Sequence, residues 1–292
     1  MHRLPEIAAE LGVAAVLVKD ESNRFGLPAF KILGASWAVE RMLRERPEVD
    51  TLVAASAGNH GRAVARAAAL RGLRCRVFLP ARSLTVRRDA VASEGAEVVV
   101  VDGTYEEAVA QAEQAGRAPG VAAVADVGGA GTAGWVIDGY ATLFDEAWQQ
   151  ADHDLVLVPV GVGSLAAAAA RHGAERELSV IGVEPVDAAC LTASLAAGTP
   201  TAVSNPGTVM AGLDCSEISA AAWPSLQAGL AGTVTVDDAE AVSAQAELGR
   251  HGLLIGESGA APLAALRQLA GSELLEPQTR VLLIATEGRT GE

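Results

Sequence analysis

Aromatic residues are nearly missing from this chain: phenylalanine, tryptophan and tyrosine together make 3% of it. Alanine and glycine dominate instead, so a core here relies on close backbone approach, which suits helices laid on sheets. Basic residues are in deficit too. Lysine and arginine number 22 against 36 aspartates and glutamates, a formal net charge of −14. A surface of that sign repels phosphate backbones and anionic lipid, which excludes nucleic acid and anionic membranes as partners. The excess acid is a solvated surface and names no substrate. Cysteine is sparse. Cys75, Cys190 and Cys215 form no CxxC and no zinc-ligand spacing, so no metal site is expected. Reduced thiols in the cytoplasm are the expectation. A bridge between Cys190 and Cys215 stays open, because both fall in segments assigned below to the site. Long apolar runs are absent as well. The longest uncharged stretch, Leu155 to Ala170, is broken by Pro159 and a glycine turn and is too short to cross a bilayer. The opening residues, MHRLPEIAAELG, lack the basic start and apolar core of a secretory signal.

What is present is a regular alternation. Half of the 292 residues are apolar, enough for one large or two modest domains. Short apolar strands recur at Val16 to Val18, Thr51 to Ala55, Arg74 to Leu79, Glu97 to Val101 and Val121 to Val124. Between them lie helical patterns, beginning with one from about Ala29 to Arg46. A second alternation runs from the strand Leu155–Pro159 to a final strand at Arg280–Ala285. The segments Val127–Gly134 and Gly198–Gly212 are rich in turn residues and read as loops. Near-continuous apolar strands alternating with helices predict parallel sheets covered on both faces. The fold class is therefore α/β: two three-layer αβα lobes with mostly parallel sheets and a ligand cleft between them. The larger lobe is expected to comprise residues 1–37 plus 125–292, and the smaller lobe 38–124.

Four short stretches carry chemistry. Lys31 stands at a helix start behind a polar loop, in NRFGLPAFK, where desolvation and the helix N-terminus both disfavour an ammonium. That is what a Schiff-base lysine requires. Ser56-Ala57-Gly58-Asn59-His60-Gly61 follows a strand and opens a helix, so small residues let backbone amides approach an anion. Gly161-Val162-Gly163-Ser164-Leu165 repeats the arrangement after LVLVPV. It lacks the lysine of a P-loop and the third glycine of a dinucleotide fingerprint, so it suits a small phosphate. Thr286-Glu287-Gly288 ends the last strand, at the sheet edge where ligands bind in open α/β folds.

In this order the four stretches resemble the pyridoxal-phosphate enzymes of fold type II, the tryptophan-synthase-β group. Within that group KDESNRFGLPAFKILGAS, GNHGRAVA, VADVGG with WVIDGYATLFDE, PVGVGSLA, GVEP, TVMAGLDC and ATEG resemble diaminopropionate ammonia-lyases. The resemblance runs from Lys19 to Gly288. It implies pyridoxal 5′-phosphate as cofactor, held mainly by the larger lobe, and a homodimer acting on a small amino acid. It further implies that Lys31 binds the cofactor and moves the Cα proton. Asn59 would bond the phenolic oxygen. Gly161, Val162, Gly163, Ser164 and Leu165 would cradle the phosphate, and Thr286 would face the ring nitrogen. Ser56, Ala57, Gly58 and His60 would lie at the substrate carboxylate, with Asp126 as base or as holder of the leaving amine. The chain departs from the family at Ala57, where an aspartate associated with the D-isomer is usual, and so favours an L-amino acid. The expected reaction is β-elimination, foremost from 2,3-diaminopropionate to pyruvate and ammonia. A serine or threonine dehydratase, a biosynthetic β-replacement and a binding protein that has lost its chemistry are the competing readings.

Overall fold

The structure, a computed structural model, describes residues 1–56, 58–125 and 131–289. The chain divides into two compact units, Met1–Phe30 with Tyr140–Glu292, and Lys31–Gly139. It opens with β1 (His2–Arg3), α1 (Pro5–Leu11) and β2 (Ala15–Asp20). The unit Lys31–Gly139 then carries α2 (Ile32–Glu45), β3 (Thr51–Ala54), α3 (Asn59–Leu70), β4 (Arg74–Pro80), α4 (Thr85–Ala92), β5 (Glu97–Val101), α5 (Tyr105–Ala115) and β6 (Val121–Ala123). Helix α6 (Thr132–Gln150) runs through the boundary. After it come β7 (Leu155–Pro159), α7 (Ser164–Arg176), β8 (Ser179–Pro185), α8 (Cys190–Ala197), α9 (Trp223–Gly229), β9 (Gly232–Val236), α10 (Asp238–Arg250), α11 (Glu257–Gln268) and β10 (Arg280–Ala285).

The larger unit holds a sheet of order β1-β2-β10-β7-β8-β9. All its pairings are parallel except β1 with β2. Side chains alternate between its faces with the period of two that a strand imposes. Val16, Val18, Leu155, Leu157, Ile181, Val183, Val281 and Leu283 pack with residues of α1, α10 and α11. Their neighbours Leu17, Val156, Val158, Val180, Leu282 and Ile284 are just as buried. Two buried faces are why these strands read as unbroken apolar runs. The second unit holds an all-parallel sheet, β5-β4-β3-β6. There α5 packs on β3, β4 and β6. Val53, Phe78 and Val101 meet Ala108 and Ala112 in its core. Thr104 with Glu107 and Asp237 with Glu240 form capping boxes at the starts of α5 and α10.

Three differences from the sequence reading have physical causes. The helix expected from Ala29 begins only at Ile32, because Ala29 is held in a bridge to Glu287 and the chain turns at Phe30 and Lys31. Helices α1 and α9 are seven residues each, too short to show a helical period, and both start on a proline in the first turn. Helix α6 begins at Thr132 and so takes in Gly134 from the segment expected to be loop; Val127 to Ala130 lie outside the described residues. Among the described residues no helix is long and apolar enough to cross a membrane, and no three His, Cys, Asp or Glu side chains are grouped to hold a metal ion.

One buried cluster couples the fold to pH. His153 and His172 stack with ring centroids 6.2 Å apart and planes at 12°. The edge of Trp148 meets His153 at 5.4 Å, and Phe144 lies 5.7 Å from His172. Burial lowers both imidazole pKa values, that of His172 to about 4, with the nearby Arg176 charge adding to the effect. Both rings are therefore neutral in the folded protein at pH 7, while an unfolded histidine takes a proton near pH 6.5. Stability is complete above that value and is lost as pH falls through 4. The urea midpoint should drop between pH 6.5 and pH 4, and His172→Phe should flatten that part of the profile.

Candidate active site

The C-terminal edge of the larger sheet is where its loops converge. Strand β7 ends in the turn Gly161–Gly163, and α7 begins at Ser164 with Gly163 as its cap. Gly163 has φ +90°, a left-handed conformation that a side chain resists. No side chain caps α7, so its first amides and the helix dipole point into the turn, the arrangement that binds phosphate. The back of the turn is filled. A β-carbon at Gly161 would lie 2.8 Å from the Gly212 carbonyl and 3.2 Å from Cys215 Sγ. Ser219 donates its amide to Val162 at 2.9 Å, and Ser164 and Leu165 are buried. Gly212 in turn donates its amide to Ser258 Oγ on α11 at 3.0 Å. Gly212 and Ser258 were not singled out from the sequence; their role as backing to the turn comes from loops far apart in the chain. Cys190, Cys215 and Cys75 are all free thiols, and burial pushes Cys190 up to about 12.

Strand β10 lies beside β7, with Leu283 opposite Leu157, so Thr286 leaves the same sheet edge as the turn. Thr286 and Glu287 are both buried. The segment before Lys31 is laced to them. Ala29 forms a bridge with Glu287, Phe30 donates its amide to Thr286, and Gly288 donates to the Pro28 carbonyl at 3.0 Å. Lys31 is the next residue. It caps α2 with φ −54° and ψ −25°, is half-buried, and its carbonyl accepts from the Ala35 amide at 3.1 Å.

In the other unit, the turn between β3 and α3 gathers Ser56, Gly58, Asn59 and His60. Gly58 donates its amide to Ser56 Oγ at 3.3 Å and precedes Asn59, the first residue of α3. His60 is buried, with Nε2 3.0 Å from the Val124 carbonyl. Tyr105, read from the sequence only as a helix start, donates its hydroxyl to the Ala55 carbonyl at 3.1 Å. Ala57 and Asp126 lie outside the described residues, although the flanking Ala125 amide reaches Thr132 Oγ1 at 3.5 Å.

The polar loop ahead of Lys31 is organised by charge. The chain has only two lysines, Lys19 and Lys31, a scarcity that by itself could have drawn attention to both. Lys19 is buried, with Nζ 2.8 Å from Glu146 and 3.4 Å from Glu21. Arg24 bridges the same carboxylates, with Nη2 2.6 Å from each. Two cations against two anions leave no net charge to bury. The Arg24 hydrogen bonds, followed by those from Lys19, hold the Glu146 carboxyl down at about 2. Its stabilising contribution is thus complete above an ordinary glutamate pKa and is lost as pH falls through 2. Glu146→Gln should lower stability by about 1–3 kcal/mol at pH 7, with the urea-midpoint difference from wild type constant above pH 5 and shrinking toward pH 2.

The turn at Gly161–Leu165, the neutral hydroxyl of Thr286 and the lysine following Phe30 are the donor set that a phosphate-bearing pyridine aldehyde requires, so the residues present fit pyridoxal phosphate. Known proteins agree with that fit. Residues 1–287 match the family model described as "Pyridoxal-phosphate dependent enzyme". The chain is 32% identical to the diaminopropionate ammonia-lyase of Salmonella typhimurium, over 99% of this chain and 85% of that enzyme. The biosynthetic L-threonine dehydratase of Haemophilus influenzae is 31% identical over 90% of this chain and 51% of its own length. Among solved structures, diaminopropionate ammonia lyase from Escherichia coli in complex with an aminoacrylate-PLP azomethine reaction intermediate superposes with a TM-score of 0.88 at 33% identity, covering 98% of this chain and 83% of that one. The chain belongs to the family of pyridoxal-phosphate dependent enzymes of fold type II.

Proposed function

We propose that the chain is an ammonia-lyase that removes the β-substituent of a small L-amino acid, foremost 2,3-diaminopropionate, to give pyruvate and ammonia. One observation carries the assignment of its lysine. Of two lysines, Lys19 is held by two carboxylates, while Lys31 follows a residue hydrogen-bonded to Thr286, the proposed partner of the cofactor ring. When bound, the cofactor supplies the electron sink for a carbanion at Cα. In this reading the amides of Gly161, Val162, Gly163, Ser164 and Leu165 bind its phosphate, and the Asn59 amide donates to its phenolic oxygen. Thr286 meets the ring nitrogen with a neutral hydroxyl, which avoids fixing a positive charge on the ring and favours elimination. The larger unit thus serves as the cofactor-binding lobe.

The chain's own groups move the protons. The Lys31 amine takes the Cα proton. The Cβ–N bond of the substrate's ammonium group then breaks with its electron pair going to nitrogen, which leaves as ammonia with the protons it already carries, and the Asp126 carboxylate is assigned to hold that ammonium. Water converts the released enamine to the 2-oxo acid and a second ammonia. Ser56, Ala57 and Gly58 hold the substrate carboxylate. His60, through its bond to Val124, ties that loop to the strand end two residues before Asp126. The small side chain at Ala57 is the basis for the L-preference. It also supports a second reading, an L-serine or L-threonine dehydratase, to which the threonine dehydratase relative belongs. A cytoplasmic homodimer completes the proposal.

Incubation with a panel of D- and L-amino acids, with 2-oxo acid release as the readout, tests it. L-2,3-diaminopropionate should be turned over fastest; preference for L-serine selects the dehydratase, and faster turnover of the D-isomer overturns the stereochemical assignment. Lys31→Ala should lower kcat by about 10³-fold or more, and Asp126→Asn by about 10²- to 10⁴-fold with diaminopropionate. The Asp126→Asn loss should be smaller with serine, whose leaving group is not an amine. Borohydride treatment of the cofactor-loaded protein should fix the cofactor to Lys31 and not to Lys19, as read by peptide mass.

A further inference from the structure

Helix α6 touches the lysine-bearing segment at three successive places, and the closest of them lies immediately beyond Lys31. A β-carbon at Gly139 would stand 2.6 Å from the Leu33 carbonyl oxygen, 2.8 Å from Gly34 Cα and 2.8 Å from Trp37 Cβ. None of these three atoms can swing aside, since two are backbone and the third is bonded directly to it. Leu33 and Gly34 belong to the first turn of α2, the turn that Lys31 caps. One residue along α6, the buried Tyr140 packs its ring on that of Phe30, with centroids 4.8 Å apart and planes at 57°. Phe30 immediately precedes Lys31. Further along the same helix, Glu146 takes the ion pairs of Lys19 and Arg24. Contacts from one helix therefore bracket Lys31 at the residue before it and at the second and third residues after it.

We propose that Gly139 and Tyr140 are positioning residues for Lys31: the bare backbone at Gly139 sets how deeply the first turn of α2 seats on α6, and the Tyr140 ring holds Phe30, so that together they deliver the lysine amine to the cofactor aldehyde. The proposal rests on Lys31 being the aldehyde-binding lysine. A methyl group at position 139 must push the first turn away by several tenths of an ångström, and a misplacement of about 1 Å in a reacting group costs up to about 10²-fold in rate. The noncovalent part of cofactor binding does not pass through this helix pair. It is assigned to the α7 turn, Thr286 and Asn59, none of which belongs to α2 or α6.

The test compares two probes on the cofactor-free protein. Pyridoxal 5′-phosphate carries the aldehyde, whereas pyridoxine 5′-phosphate presents the same ring and phosphate with an alcohol in its place. Gly139→Ala should weaken binding of the aldehyde about 10- to 100-fold and reduce the visible absorbance of the lysine-bound cofactor, while leaving the affinity for the alcohol unchanged. Gly134→Ala removes a glycine from the same helix where a β-carbon meets no atom within 4 Å, and should behave as wild type toward both probes. If Gly139→Ala does not fold, Tyr140→Leu should show the same selective loss and Tyr140→Phe should restore it. Equal weakening of both probes, or no weakening of either, in the folded Gly139 variant overturns the positioning role, as does a Tyr140→Leu protein indistinguishable from wild type. A wild-type protein that forms no lysine-bound cofactor would instead overturn the assignment of Lys31, and that result is read before any variant is made.

Discussion

The pairing of the segment before Lys31 with the residues after the last strand, Ala29 with Glu287 and the Phe30 amide with the Thr286 carbonyl, is the constraint on where the helix capped by Lys31 begins. The chain bridges Glu287 at Ala29, turns at Phe30 and Lys31, and is helical from Ile32. The last strand of the sheet and the loop after the second strand are thus locked edge to edge. Phe30 and Thr286, nearly the whole chain apart in sequence, are placed by one register.

Around that junction the molecule relies on small residues and balanced charge. Few large rings are available, so the parallel sheets are covered by alanine-rich helices that approach closely. Glycine at positions 161 and 139 then becomes a distance gauge, because any side chain there meets backbone. The same scarcity gives weight to the few rings present, such as Phe30 on Tyr140. The loop ahead of Lys31 is too polar to be buried as it stands. It is made buriable by Lys19 and Arg24 facing Glu21 and Glu146, where each carboxylate accepts charge-assisted bonds. In a chain whose surface carries a large excess of acid, these internal acids are matched one for one.

Much of the fold and part of the site could be read from local pattern. Apolar runs of five to seven residues correspond to β4, β5, β7, β8 and β10, and all but the last are followed by a helical period. Gly161–Leu165 declared itself because a glycine turn between an apolar strand and an alanine-rich helix has few structural uses. Asp237 announced its helix because a capping residue acts on its own neighbours. Other features were silent. The two-residue strand β1 exists only because β2 pairs with it. Ser258 backs the Gly161–Gly163 turn through Gly212, and nothing near Ser258 in sequence says so. Tyr105 reads as the start of a helix, and its hydroxyl bond to Ala55 follows from two strand-to-helix turns of one parallel sheet emerging at a common edge.

Sequence alone therefore determined the α/β class with its mostly parallel sheets, and it proposed the glycine turn at Gly161–Leu165 and Lys31 as site candidates, since each of these depends on residues within about one turn or strand of one another. Tertiary structure decided which of those residues are braced and by what: Phe30 by Thr286, His60 by Val124, Lys19 by Glu146 and the first turn of α2 by Gly139. The reason is physical. Strand pairing and helix packing bring together groups separated by tens to hundreds of residues, and no local periodicity encodes which of them will meet.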